Sequence, residues 1–165
     1  MTNLEQLQSK IIPKEKIQNL VDGLKLDGKT IVFSNGCFDL VHRGHVEYLA
    51  KASDLADVFV LGLNTDASVQ RLKGDDRPLQ DEVARAILMS GFSFIDYVVL
   101  FDEDTPYELI NVVQPNVLVK GNDYKVEDVV GYDIVQKNGG TVQTIELTEG
   151  YSTTNIVNKI VKSLG

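Results

Sequence analysis

Cysteine occurs once, at Cys37, so the chain can build no internal disulfide and suits a reducing compartment. Histidine occurs twice, at His42 and His45, and no further His or Cys pair exists elsewhere. Zinc sites usually draw ligand pairs from two places in a chain. A transition-metal site made from His42, His45, Cys37 and Asp39 is therefore the weaker reading of these residues. No apolar run approaches the roughly 20 residues that cross a bilayer. The start Met1-Thr2-Asn3-Leu4-Glu5 lacks the basic and apolar regions of a signal peptide, so the expected location is the cytoplasm. Cations are outnumbered: 16 Lys and Arg against 24 Asp and Glu leave a net charge of −8. That charge opposes broad attraction to nucleic acid or to an anionic membrane surface. It also repels phosphorylated ligands, so a site for one must concentrate its cations locally.

What is present reads as one α/β unit of 165 residues, 43% of them hydrophobic, with a helical extension over 1–28 preceding a domain over 29–165. Pro13 opens an N-terminal helix with Ile17, Leu20, Val21 and Leu24 on one face, ended by Gly23 and Asp27-Gly28. Five apolar or β-branched runs are predicted as strands: 30–33, 57–63, 96–101, 116–119 and 141–145. Helical patterns separate them. One starts at Thr65 or Asp66, one spans Gln80 to Gly91 with Val83, Ile87 and Leu88 as its apolar face, one is capped by Thr105 ahead of Pro106, and one runs from Lys125 to Asn138. Alternation of this kind predicts a Rossmann-like, three-layer fold around a five-stranded parallel sheet.

The central stretch is Thr30 to Glu47, in which a buried strand meets the turn Ser34-Asn35-Gly36 and a helix begins near His42-Arg43-Gly44-His45. A helix start offers unpaired N–H groups and partial positive charge, which suit a phosphate. Residues three apart share a face there, so both imidazoles can reach one ligand. Gly44 leaves no Cβ in the way of a phosphate chain. Near the other end, Gly150-Tyr151-Ser152-Thr153-Thr154 opens the last helix with three consecutive hydroxyl residues, a second phosphate cradle rather than a plain cap. The Arg71-to-Pro78 loop with Lys73 and Arg77, and Lys120 to Tyr124, likewise follow strands, where open α/β sheets gather their ligands.

Gly36-Cys37-Phe38-Asp39-Leu40-Val41-His42-Arg43-Gly44-His45 resembles the G-x-F-D-x-x-H-x-G-H signature of the nucleotidyltransferase superfamily that includes the cytidylyltransferases. From about Ile11 to Ile160 the chain is further similar to the adenylyltransferases of ADP-heptose synthesis, through Arg71-Leu72-Lys73-Gly74, Arg77-Pro78, Leu118-Val119-Lys120-Gly121 with Asp123-Tyr124, and Ser152-Thr153-Thr154-Asn155-Ile156. The resemblance implies transfer of AMP from ATP to a heptose 1-phosphate, with Mg²⁺, in a homodimer or higher homo-oligomer that serves lipopolysaccharide assembly. It implies catalytic roles for His42, His45 and Lys73. Nucleotide contacts are implied for Gly36, Cys37, Phe38, His42, Gly44, His45, Lys120, Gly121, Gly150, Ser152, Thr153 and Thr154. Sugar-phosphate contacts are implied for Asp39, Lys73, Arg77, Arg85 and Asp123; the alternatives are a backbone-turn role for Asp39 and a surface ion pair for Arg85.

Glycerol-3-phosphate cytidylyltransferases share the signature, but usually carry an arginine where this chain has Leu147. Against that, the heptose family usually has a second glycine where Asn122 stands. A nucleotide-sensing module or an assembly scaffold are the non-enzymatic alternatives.

Overall fold

The apolar runs become the strands of one sheet in a computed structural model that describes residues 1–165. They are β1 (Ile31–Gly36), β2 (Val58–Asn64), β3 (Tyr97–Phe101), β4 (Val117–Gly121) and β5 (Thr141–Ile145), all parallel, in the order β3-β2-β1-β4-β5. This is the Rossmann-like architecture that the alternation predicts. Each strand feeds residues alternately to two cores. Ile31, Phe33, Val60 and Leu118 pack on one face, and Val32, Phe59, Leu61 and Val119 on the other.

The first face is covered by α2 (Ile17–Leu26), α6 (Tyr107–Val113) and α7 (Tyr132–Lys137), which contribute Ile17, Val21, Leu109, Ile110, Ile134 and Val135. The second is covered by α3 (Arg43–Ser53) and α5 (Glu82–Ser90), through Tyr48, Leu49, Ala52, Ala86 and Met89. α4 (Asp66–Lys73) follows β2 and is capped by the Thr65 hydroxyl, which accepts from Ser68 N–H. Ahead of β1, α1 (Asn3–Ser9) closes a capping box between Thr2 and Glu5. The chain then lies along the β3 edge, where Ile12 N–H donates to Val98 O and Val98 N–H to Lys10 O, both at 2.9 Å.

Strand order sets where a ligand can enter. β1 pairs with β2 from Ile31↔Val58 through Gly36↔Leu63, but with β4 only at Val32↔Val117 and Phe33↔Leu118. Beyond Phe33 the two strands part. The connections that lead to β2 and to β4 leave β1 in opposite directions, so this parting is the topological switch point, the usual ligand crevice of an open α/β sheet.

Several local expectations change. Gly23 lies inside α2, which ends instead at Asp27 before Gly28. The Thr105 cap is absent, since Pro106 holds the N-cap position with no side-chain bond. The predicted helix from Lys125 to Asn138 is a 3₁₀ turn, Val126–Asp128, and then α7, separated at Gly131. Gly131 has φ +91°, and a Cβ there would meet Ile110 Cδ1 at 2.8 Å, so helix cannot continue through it. On α5 the apolar face is misassigned. Val83 and Leu88 are 69% and 45% exposed, whereas Ala86, Met89 and Arg85 are buried.

Candidate active site

His42 is the N-cap of α3, with extended backbone (φ −136°, ψ 174°). Its Nδ1 accepts the Gly44 N–H at 3.1 Å, while His45 Nδ1 accepts the His42 N–H at 3.4 Å. This is a capping box built from two imidazoles in place of the usual hydroxyl and carboxamide. Each neutral ring then carries its proton on Nε2, the atom left to serve a ligand. The rings stack, with centroids 3.8 Å apart and planes at 24°. Burial, reinforced by the charges of His42 and Lys73, pushes His45 down to about 4, and burial lowers His42 as well. Gly44 has a role beyond the phosphate clearance expected of it. A Cβ there would meet the His42 ring at 3.0 Å, so the glycine lets that imidazole fold over the helix start.

Both histidines open into a cleft of about 340 Å³ at the carboxyl edge of the sheet. Its floor includes Gly36, Cys37, Phe38 and Asp39 from the end of β1. Phe38 sits at φ +48° and sets its ring edge-on to His45, 5.3 Å between centroids. Gly36 must lack a side chain because a Cβ would meet the Phe38 ring at 2.9 Å. Burial pushes the Cys37 thiol up, against thiolate chemistry. No group of three His, Cys, Asp or Glu side chains is arranged to hold a metal ion.

Two lysines supply the positive charge. Lys73 is the last residue of α4 rather than a loop residue, so it also complements that helix's negative end. Lys120 belongs to β4, and Gly121 and Asp123 follow it along the cleft. Burial lowers the Lys120 ammonium, with Cys37 and Asp123 only opposing the shift, and its Nζ lies 5.8 Å from the Tyr124 ring centroid.

The far wall is the start of α8 (Thr153–Leu164). Ser152 caps it by accepting Asn155 N–H at 3.0 Å, and Ser152 and Thr153 both line the cleft. The segment before α8 is tied to α3. Glu47 accepts from Thr148 Oγ1 and from Arg43 Nε, and Arg43 Nη1 donates to Tyr151 Oη at 3.2 Å.

Four expected contacts fall outside this cleft. Gly150, with φ +84°, shapes the turn before α8, and Thr154 is exposed beyond it. Arg77 is turned toward Asp39, 3.4 Å from Oδ2, on another surface depression. Arg85 is neither a surface ion-pair partner nor a substrate ligand. It is 0% exposed, and its guanidinium donates to the carbonyls of Cys37, Asn64 and Gln80 and to Asp66 Oδ1 at 2.7–3.0 Å. Those bonds occupy four of its five N–H donors and tie the ends of β1 and β2 to α5. Asp39 accepts the N–H groups of Leu79 and Gln80 at 2.8 and 2.9 Å, so it orients the loop at 77–80 while lining the floor.

Sequence reasoning missed Asn35, Tyr48, Thr148 and Tyr151 as lining residues and treated Tyr124 and Leu147 only as parts of motifs. Tyr151, directly after Gly150 and before α8, was the available signal.

A cytidylyltransferase-like family model matches residues 33–159. A protein described as bifunctional protein HldE from Geobacter metallireducens is 53% identical over 157 residues, covering 95% of this chain and 32% of that one. A protein with the same description from Campylobacter jejuni is 51% identical over 158 residues, covering 96% and 33%. The chain thus spans about a third of the length of the curated relatives it matches. Among solved structures, a lipopolysaccharide core biosynthesis protein from Thermoplasma volcanium superposes with TM-score 0.61 at 26% identity, covering 76% of this chain and 100% of that one. Pantoate-beta-alanine ligase from Francisella tularensis gives the same TM-score, 0.61, at 15% identity over 93% of this chain and 78% of that one, a likeness of fold alone. With the histidine-capped helix facing the Ser152 helix across the switch-point cleft, and the family model spanning both, the chain belongs to the cytidylyltransferase-like family.

Proposed function

We propose that this chain transfers AMP from ATP to D-glycero-β-D-manno-heptose 1-phosphate, releasing pyrophosphate and forming ADP-heptose. The observation that carries the reading is the pair of helix starts, His42–His45 and Ser152–Thr153, that face one cleft with Lys73 and Lys120 between them. A phosphate oxygen of the sugar phosphate attacks the α-phosphorus. The bond from that phosphorus to the β-bridging oxygen breaks, and its electron pair leaves with pyrophosphate. The nucleophile is already anionic near neutral pH, so positioning and charge neutralisation are the task rather than base catalysis.

The Nε2–H groups of His42 and His45 donate to the α-phosphate as charge builds on it. Ser152 and Thr153, with the N–H groups of the first turn of α8, hold the β- and γ-phosphates. Lys120 stands beside the reacting phosphates, and Lys73 draws in the acceptor phosphate. Asp123 lines the cleft and would be the side chain to hold a Mg²⁺ ion arriving with ATP, which would neutralise phosphate charge there.

One departure from family patterns supports this acceptor, and the one that stands against it lies away from the cleft. Leu147, in place of arginine, lines the cleft as an apolar wall. Asn122, in place of glycine, is exposed outside it, in a backbone conformation that needs no glycine. Assembly as a homodimer or higher homo-oligomer in the cytoplasm belongs to the same reading. It is supported by the apolar stripe Ile156, Val157, Ile160, Val161 and Leu164 along α8, whose last three members are 50–84% exposed.

The test is pyrophosphate release with Mg²⁺, crossing ATP, CTP and GTP against both anomers of the heptose 1-phosphate and against glycerol 3-phosphate. Release with ATP and the β-anomer is expected. Release confined to CTP and glycerol 3-phosphate would assign the chain to the other branch of the family.

A further inference from the structure

Asn35 stands at the carboxyl end of β1, two residues past the point where the β1–β4 ladder stops. Its side chain lines the cleft, and its Oδ1 is shut off from solvent without a hydrogen-bond partner in the protein. Buried acceptors of this kind are few in folded proteins and call for a group that completes them.

The surroundings define that group. Asn35 lies opposite Gly62 in register, and a Cβ on Gly62 would meet Phe33 Cζ at 2.8 Å and Asn35 Cβ at 3.2 Å. Asn35 therefore shares a sheet face with Phe33, the face covered by α2 and α6. Lys120 lies two residues past Leu118, as Asn35 lies two past Phe33, so strand alternation brings both to this face at the switch point. No carboxylate lies within 4 Å of the Lys120 ammonium, Asp123 acting on it only at longer range, which leaves it for an incoming phosphate. The histidines come from α3, which packs on the opposite face through Leu49 and Ala52.

In-line displacement puts nucleophile and leaving pyrophosphate on opposite sides of the α-phosphorus. With the starts of α3 and α8 holding the triphosphate, the acceptor approaches on the side of Asn35 and Lys120. We propose that Asn35 is a specificity-determining residue for the acceptor: as a polyhydroxylated organic phosphate enters, the Asn35 amide turns so that its Oδ1, unpaired in the free protein, accepts a hydrogen bond from one of the hydroxyls, while the phosphate drawn in by Lys73 comes to rest beside Lys120. This rests on the nucleotidyl-transfer reading above. An acceptor with no hydroxyl at that position leaves Oδ1 buried and unpaired, and a site so built rejects it.

The test is steady-state pyrophosphate release by wild type and Asn35→Ala with MgATP, using heptose 1-phosphate and methyl phosphate as acceptors. Asn35→Ala should lower kcat/KM for the sugar phosphate by about tenfold or more. The KM for ATP should stay within about twofold, and the wild-type preference for sugar phosphate over methyl phosphate should shrink by the same factor as kcat/KM. Equal losses with both acceptors, or a shift confined to the ATP KM, overturn the role of Asn35 while leaving the transfer reading intact. Wild-type silence with every acceptor overturns the transfer reading and this role with it. Asn35→Ser, whose hydroxyl falls short of the Oδ1 position, serves if the alanine variant does not fold, with the same shift expected.

Discussion

His42 and His45 lie one over the other, 3.8 Å between ring centroids, because each uses its Nδ1 to terminate the same helix. The capping contacts thus use one edge of each ring, and the transfer proposed for this cleft would use the other. A substitution can separate them.

His42→Asn keeps a side-chain acceptor for the Gly44 N–H but removes the Nε2–H. Stability should stay near wild type while kcat falls about 10²–10³-fold, the usual cost of losing one donor to a developing oxyanion. His42→Ala should lose the same activity and, in addition, about 1 kcal/mol of stability with the cap. Kinetics and urea unfolding on the three proteins distinguish the two roles. Equal stability of the alanine and asparagine variants would remove the capping role.

His45 gives a pH signature. Its folded pKa of about 4 lies below the ordinary 6.5, through burial first and the charges of His42 and Lys73 second. As pH falls through that window the unfolded chain takes up a proton that the folded ring refuses, so stability drops from near 6.5 toward 4. His45→Gln should flatten this part of the stability profile. In the folded wild type the His45 ring resonance should titrate near 4 and move upward when a triphosphate binds, since an anion favours the imidazolium.

Gly44→Ala isolates the packing of His42. Alanine is the better helix former by about 1 kcal/mol, yet its Cβ would sit 3.0 Å from the His42 ring. The expected outcome is little change in Tm with kcat reduced by about tenfold or more, since displacements near 1 Å can cost 10²-fold. Unchanged kcat would show that the ring does not need its present position.

Arg85 carries stability rather than substrate. Arg85→Met strands the carbonyls of Cys37, Asn64 and Gln80 and should cost about 3–5 kcal/mol, as breaking a buried charged network does. Arg77→Met removes one longer contact to the buried Asp39 carboxylate, which keeps the Leu79 and Gln80 N–H donors, and should cost less, about 1–2 kcal/mol. Denaturant midpoints compare the two directly.

The contrast between these arginines marks the limit of what the sequence shows. Strand positions were legible because runs such as Val58 to Leu63 are apolar throughout, as buried parallel strands require. The His-Gly-His helix start was legible because spacing alone puts both rings on one turn. The buried face of α5 was not. Periodicity favours Val83, Ile87 and Leu88, and what turns the helix the other way is a set of carbonyls on β1, β2 and their loops that Arg85 reaches only in the fold. Asn35 was hidden for a similar reason. Within its turn it is one polar residue among several, and its isolation depends on where β1 and β4 part, a matter of strand order that local patterns do not encode.

α8 has no buried residue, yet Ser152 and Thr153 at its start form one wall of the cleft. An element held mainly through Glu47, Arg43 and Tyr151 will exchange its amide hydrogens early, and a triphosphate seated on Ser152 must slow that exchange in proportion to its affinity. By the same reciprocity, anything that pins the distant Leu164 end of the helix tightens nucleotide binding some dozen residues away without touching the nucleotide.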